Sequence, residues 1–348
     1  MQVTLDTMVL QRMATQISRA VGASRILPVT GYVRLVLEDG VLSMTATDAA
    51  VFATARAVVA GDPGSIVVKA DALLKLIEKT VVETMTLTTV NNELQIRGHG
   101  KYRQPGYTAE PFPQSPITMW EARGTINSSL LKARMAMAAC AVARELVEPQ
   151  LTGYWWGENL VTTDNMRAAV GTMPLAIDPP VLLAAPVAEL LGQFLADEDV
   201  TVETSAHHVR FTSDSLIVEG PELLGIERYP QIGSLLDLAM TGQVTLPVGQ
   251  LQEAVERVHL FADPLNSYAV ALTIGDDVAV QAGETVERIG ISGADGRATL
   301  HLNSEYWLRL LRICEDEVTL RWATDDAPLR MDVAPGVTVF LGTVQADE

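Results

Sequence analysis

Two Thr-Asp steps are the most conspicuous residues able to do chemistry. Thr47-Asp48 lies in LSMTATDAAVFATARAVV, and Thr163-Asp164 lies in LVTTDNMRAAVGTMPL. A pair of carboxylates can act as general acid and base, or hold a metal ion, when the fold brings them together. Asp164 follows Asp48 by 116 positions, and nothing in the sequence places the two side by side. Gly98-His99-Gly100-Lys101 is a fragment of a phosphate loop that lacks its Ser or Thr and its following helix; it reads as a hairpin turn. The His207-His208 pair has no third ligand nearby. Cys140 and Cys314, the two cysteines of the chain, sit in apolar helix-like windows as buried free thiols. With no GxSxG and no HExxH, the expectation is no catalysis, no metal and no cofactor.

The elements that carry the Thr-Asp steps repeat. Each step ends an alternating strand and is followed by small residues and a second apolar strand. TAEPFPQSP near Pro113 is echoed 117 residues later by GIERYPQIG near Pro230. SIVVKADALLKLIEK returns as VLLAAPVAELLGQFLA and again as ATLHLNSEYWLRLLRICED. The starts TLDTMVLQRMATQISRAVG, TINSSLLKARMAMAACAVA and TLPVGQLQEAVERVHLFAD also correspond. A period this long marks repeated domains. The expected division is 1–118, 119–240 and 241–348, an α+β chain in which each domain consists of two βαβββ halves. In the first, Asp6 caps a helix with Met13, Ile17 and Ala20 on its apolar face. Asp39-Gly40 and Asn91-Asn92 mark hairpins.

Bulk numbers agree with several domains. The chain has 348 residues, 48% hydrophobic and 20% charged, which is globular composition. The start MQVTLDTM carries Asp6 where a signal peptide would be positive, and the most apolar window, residues 179–196, contains three prolines and Glu189. The expectation is a cytoplasmic protein with no membrane contact.

Net charge is −18, but it is unevenly spread. The six helix windows together carry +4, which leaves −22 for strands, loops and tails. Arg12, Gln16 and Arg19 fall at i, i+4 and i+7 opposite the first helix's apolar stripe. Lys69, Lys75 and Lys79 mark the second helix, Lys132, Arg134 and Arg144 the third, and Arg309 and Arg312 the last. The windows at 185–197 and 247–262 are acidic.

Three tandem domains of two βαβββ halves, the ILPV segment at 26–29, the two Thr-Asp motifs and the FPQSP and YPQI closers resemble the bacterial DNA polymerase III β sliding clamp. The resemblance runs over essentially the whole chain and is faintest in the third repeat. It implies a head-to-tail homodimer closing into a ring, helices lining the hole, and duplex DNA passing through without sequence readout. Arg12, Arg19, Arg25, Lys69, Lys75, Lys79, Lys132, Arg134, Arg309 and Arg312 are then the expected DNA-facing cations. Arg25 sits close to the place before the Leu-Pro step where the family touches DNA.

The family's second site is a pocket for short peptides of the replicative polymerase and the clamp loader. Position by position, that pocket falls here on Thr163, Asp164, Asn165, Met166, Arg167, Pro230, Leu235, Pro328, Val339 and Leu341. Two departures stand out. Asn-Met-Arg-Ala follows the second Thr-Asp where the family has Gly-His-Arg-Leu, and Phe340-Leu341-Gly342-Thr343-Val344 with an acidic tail replaces Met-Pro-Met-Arg. These suit a drifted partner motif, as in a viral or second clamp. The alternative expectation is a clamp-shaped protein-binding scaffold that no longer encircles DNA.

Overall fold

In this computed structural model the described residues are 1–23, 26–108, 112–145, 147–291 and 293–344. Seven α-helices occur among them: α1 Thr7–Ser18, α2 Ala70–Lys79, α3 Ser128–Ala138, α4 Ala185–Leu191, α5 Gly233–Leu236, α6 Val248–His259 and α7 Ser304–Leu311. Leaving aside α5 and the two-residue strand Gly61–Asp62, the order strand, helix, three strands runs six times along the chain. No helix among the described residues is long and apolar enough to cross a membrane.

The chain divides into two compact units, Met1–Ala133 with Leu183–Leu223, and Arg134–Leu182 with Leu224–Glu348. The first contains an antiparallel sheet of thirteen strands. Its strands alternate as the sequence requires: Tyr32–Glu38 buries Val33, Leu35 and Leu37, and Val41–Thr47 buries Leu42, Met44 and Ala46. Between these strands Asp39 and Gly40 both take positive φ, 50° and 74°, the paired left-handed geometry of a two-residue hairpin. Asn91 and Asn92 do the same at 47° and 60°.

Helix α1 starts where Asp6 accepts from the Met8 amide at 2.6 Å, satisfying one of the end's free N–H groups. It lays Leu10, Met13 and Ile17 against the strands, and α2 adds Leu73 and Ile77. Gln16 corrects the expected polar stripe. It is buried, and its amide donates to Ser215 Oγ at 3.2 Å and to the Gln193 carbonyl at 3.3 Å. The strand Phe52–Val58 pairs with Leu216–Pro221, joining elements from the first two sequence repeats in one sheet.

The second unit holds an eight-stranded and a four-stranded sheet. One apolar cluster, including Leu251, Val255 and Val258 of α6 and Trp307, Leu310 and Leu311 of α7, packs on both. A cross-strand threonine pair recurs at matching places along the chain. Thr4 and Thr86 share a hydroxyl hydrogen bond at 2.9 Å, Thr245 and Thr319 at 3.0 Å, and Thr125 stands opposite Thr201.

Candidate functional site

Both Thr-Asp steps fold into the same turn. Asp48 Oδ1 accepts from the Ala50 and Val51 amides at 2.9 and 2.8 Å, and Thr47 Oγ1 donates to the Val51 carbonyl at 2.7 Å. Asp164 Oδ1 accepts from the Met166 and Arg167 amides at 3.1 and 2.8 Å, and Thr163 Oγ1 donates to the Arg167 carbonyl at 2.6 Å. The residue after each Asp is left-handed, Ala49 at φ 80° and Asn165 at φ 68°. Two β-strands that must reverse within four residues have their exposed amides satisfied by the short acidic side chain. That explains why the Thr-Asp step recurs.

Only the second copy carries a cation. Arg167 Nε and Nη2 both donate to Asp164 Oδ2, at 3.0 and 2.6 Å, and the pair is almost wholly out of solvent. The guanidinium lies over the Tyr306 ring, 4.4 Å from its centroid. Val51 occupies the equivalent place in the first copy, buried and apolar.

Around this stack lies a cleft of about 330 Å³. One wall is Ala143, Arg144, Glu145, Val147, Glu148 and Leu151; the other is Tyr306 and Arg309 of α7, with Asp164 and Arg167 between. Asn165 Nδ2 donates to Glu148 Oε2 at 2.7 Å, tying the turn to the first wall. Arg309 bonds to Glu305 one turn back and sits 6.0 Å from the Tyr306 ring centroid. The site therefore offers an aromatic face, apolar patches and fixed charges. Beneath it, burial pushes the Cys140 thiol up to about 12.

The expected pocket residues divide into three groups. Asp164 and Arg167 line the cleft. Asn165 and Met166 sit on its turn, with Met166 40% exposed. Thr163 is held inside by its hydroxyl bond, while Val339 and Leu341 are fully buried in the strand Val337–Leu341, opposite Ala169 and Arg167. Pro230, Leu235 and Pro328 are half-buried and are not part of the cleft lining. The sequence reading missed Tyr306, Glu148 and Leu151, and it assigned Arg309 elsewhere. Tyr306 stands at i, i+3 with Arg309 on α7, a spacing that puts both on one face.

The expected DNA-facing cations are also sorted by their contacts. Arg19, Lys69, Lys79 and Arg312 are exposed, Arg19 at 3.9 Å from Glu189. Lys75 pairs with Asp71 at 2.6 Å. Lys132 donates to the Phe194 carbonyl at 3.0 Å, and Arg134 to the Thr172 and Pro335 carbonyls at 3.1 and 2.9 Å. Arg12 is half-buried and donates to the Arg56 carbonyl at 3.4 Å. Arg309 faces the cleft. Arg25 and the end of the acidic tail lie outside the described residues.

Residues 1–116 match the family described as DNA polymerase III beta subunit, N-terminal domain. The beta sliding clamp of Staphylococcus aureus is 23% identical over 282 residues, 75% of this chain and 74% of its own length. That of Bacillus subtilis strain 168 is 23% identical over 330 residues, 85% of this chain and 86% of its own. Among solved structures, the Bacillus subtilis sliding clamp superposes with a TM-score of 0.86 at 20% identity, covering 100% of both chains. A Pseudomonas aeruginosa sliding clamp bound to griselimycin gives 0.89 at 20% identity, covering 99% of this chain and 100% of that one. The first 116 residues thus belong to the beta subunit N-terminal domain family, and the fold of the solved sliding clamps runs through the chain from end to end.

Proposed function

We propose that two copies of this chain close head to tail into a ring around duplex DNA, and that the cleft tethers short peptides of a replicative polymerase and of the clamp loader. In this reading the chain is a cytoplasmic, non-catalytic processivity factor with three domains, 1–118, 119–240 and 241–348. The observation that carries it is the clamp fold over the full length of the chain.

Two surfaces, a basic hairpin and a sheet edge, support the homodimer. In the first unit, the hairpin of strands Glu93–Arg97 and Lys101–Tyr107 holds Arg97, Lys101 and Arg103, with Arg97 directly opposite Lys101. No acid occurs from residue 94 to 109 in a chain of net charge −18. Like charges facing each other across a hairpin are mildly unfavourable, and an acidic partner surface would relieve them. In the second unit, Thr285–Ile289 is an edge strand that holds Glu287, paired with Arg257 at 2.9 Å, and Arg288, with the unpaired acid Glu284 just before it, and α6 packs on it. Leu260 and Phe261, just past α6, are 78% and 65% exposed. Joining the basic hairpin with exposed Tyr102 to the edge strand beside Glu284, with exposed Leu260 and Phe261 nearby, brings opposite charge and apolar surface together.

For DNA, Lys69, Lys79 and Arg312 are exposed cations that can meet phosphate, and Arg19 and Lys75 become available by exchanging Glu189 and Asp71. Lys132, Arg134 and Arg12 serve mainly the fold, and Arg309 serves the cleft. This leaves a lightly charged lining, which favours sliding over tight binding. It also sustains the alternative of a scaffold that has lost DNA. Negative-stain images with solution mass test the ring: a dimer with an open centre is expected. Retention on nicked circular but not linear DNA, with a loader supplied, is the expected mark of encirclement. Equal retention on both, or on neither, would replace this reading with the scaffold.

A further inference from the structure

We infer that Gln11 is a positioning residue for DNA: its side-chain amide holds the end of α2 so that the Lys79 ammonium stays free to meet a phosphate. This rests on the reading of Lys79 as a DNA-facing cation. A helix leaves its last four carbonyls without partners inside the helix, and a lysine in the last turn is well placed to fold back on them. α2 ends on Lys79, the basic residue of its last turn. The lysine nevertheless stands exposed and makes no hydrogen bond or ion pair among the described residues.

The carbonyls it would turn to are already taken. Gln11 reaches across from α1, and its Nε2 donates to the Ile77 carbonyl at 3.0 Å, the Glu78 carbonyl at 3.3 Å and the Thr80 carbonyl at 2.8 Å. The Thr80 hydroxyl donates to the Leu76 carbonyl at 2.7 Å. One side-chain amide thus bonds to three backbone oxygens at the negative end of the helix dipole and offsets part of the charge there. No acid on α2 competes for the lysine. Asp71 is held by Lys75 at 2.6 Å, and Glu78 is the immediate neighbour of Lys79, a spacing at which helix side chains do not face each other. Lys79 is left with water, or a phosphate, as its partner. Without the Gln11 amide, the freed carbonyls draw the ammonium back onto the helix end. A DNA contact is then lost although the cation itself is untouched.

The test is the salt dependence of binding. A fluorescein-labelled duplex is titrated with the full-length protein from low ionic strength upward, and anisotropy gives the affinity at each salt concentration. The variants are Lys79→Ala, Gln11→Met, Gln11→Leu, and Gln11→Met combined with Lys79→Ala. Methionine and leucine keep the bulk of the side chain and lose its donors, and circular dichroism checks that the folds match. Each Lys79 that meets a phosphate contributes about 0.9 to the slope of log affinity against log salt. Gln11→Met and Gln11→Leu should lower that slope as Lys79→Ala does, and the double variant should go no lower than Lys79→Ala alone. A slope unchanged by both Gln11 variants overturns the inference and leaves Lys79 on DNA. An equal loss from Gln11→Met with and without Lys79 also overturns it, and marks a structural role only. A slope unchanged by Lys79→Ala, or a wild-type chain that does not bind the duplex, overturns the DNA-facing reading of Lys79 and the inference with it.

Discussion

Replacing Asp164 with alanine should be far more costly than replacing Asp48, although both carboxylates cap the same turn. At Asp48 the variant loses two hydrogen bonds from exposed backbone amides, at 2.9 and 2.8 Å, and the freed N–H groups can turn to water. That is worth about 1 kcal/mol. At Asp164 the same two amides are lost, and Arg167 also keeps a buried guanidinium without its carboxylate, with side-chain exposures of 5% and 13% in the pair. Stripping one partner from a buried ion pair costs about 3–5 kcal/mol, less about 1 kcal/mol that the Tyr306 ring retains through its contact with the cation. The expected excess at Asp164 is therefore about 2–4 kcal/mol. Four of the five tryptophans, Trp155, Trp156, Trp307 and Trp322, lie in the second unit and Trp120 in the first, so fluorescence in urea follows mainly the unit that holds Arg167, and circular dichroism follows both units for the comparison with Asp48. At an m-value of about 2 kcal/mol/M, the fluorescence midpoint should fall by more than about 1 M for Asp164→Ala. The double variant Asp164→Ala with Arg167→Met should recover most of that loss, because no unpaired charge is left behind. Equal shifts for Asp48→Ala and Asp164→Ala would refute the account of the second turn as a buried ion-pair site.

Other outcomes follow from single contacts. Ala49→Gly should stabilise the first unit by about 0.5–1 kcal/mol in thermal unfolding, since alanine at φ 80° bears a strain that glycine does not. Burial raises both Cys140 and Cys314 to about 12, so the native chain keeps its thiol protons where the unfolded chain sheds them. Stability should then fall as pH rises from about 9 toward 12, by up to about 1.4 kcal/mol per pH unit for each thiol, and the Cys140→Ala, Cys314→Ala chain should show a flatter profile in the same titration. Arg19→Glu with Lys79→Glu should reduce retention on circular DNA without changing solution mass, whereas Arg12→Glu should lower the unfolding midpoint as well, because Arg12 holds the Arg56 carbonyl. Met166→Asp should remove polymerase stimulation and keep the fold, while Leu341→Asp should lose the fold of the second unit, as a charge placed on a fully buried strand.

Local order was legible where neighbours in sequence settle it. The cap at Asp6, the hairpins at Asp39-Gly40 and Asn91-Asn92, and the Thr-Asp turns all depend on residues within four positions of one another, and each takes the geometry its residues require. The polar stripe on α1 was misread because burial of Gln16 is decided by Ser215 and Gln193, far along the chain. Arg309 looks like an outward cation on a helical wheel. Its role at the cleft comes from the ring of Tyr306 and from where α7 sits relative to the turn at Asp164, neither of which has a local signature. Val339 and Leu341 came by correspondence with a pocket, yet they lie within the sheet beneath it, so position in an alignment did not convey depth.

The seam between Phe52–Val58 and Leu216–Pro221 bears on how the chain is made. A ribosome releases the strand Phe52–Val58 long before the partner that covers its edge. On that side its amides and carbonyls stay unpaired until residues 216–221 emerge, as those of Glu121–Asn127 do until Asp199–Ser205 and those of Arg167–Thr172 until Val337–Leu341. During synthesis the nascent protein thus displays an open β-edge, a surface that invites pairing with a neighbouring nascent copy. Slow translation through residues 120–215 would lengthen that exposure, and chaperone demand should peak there.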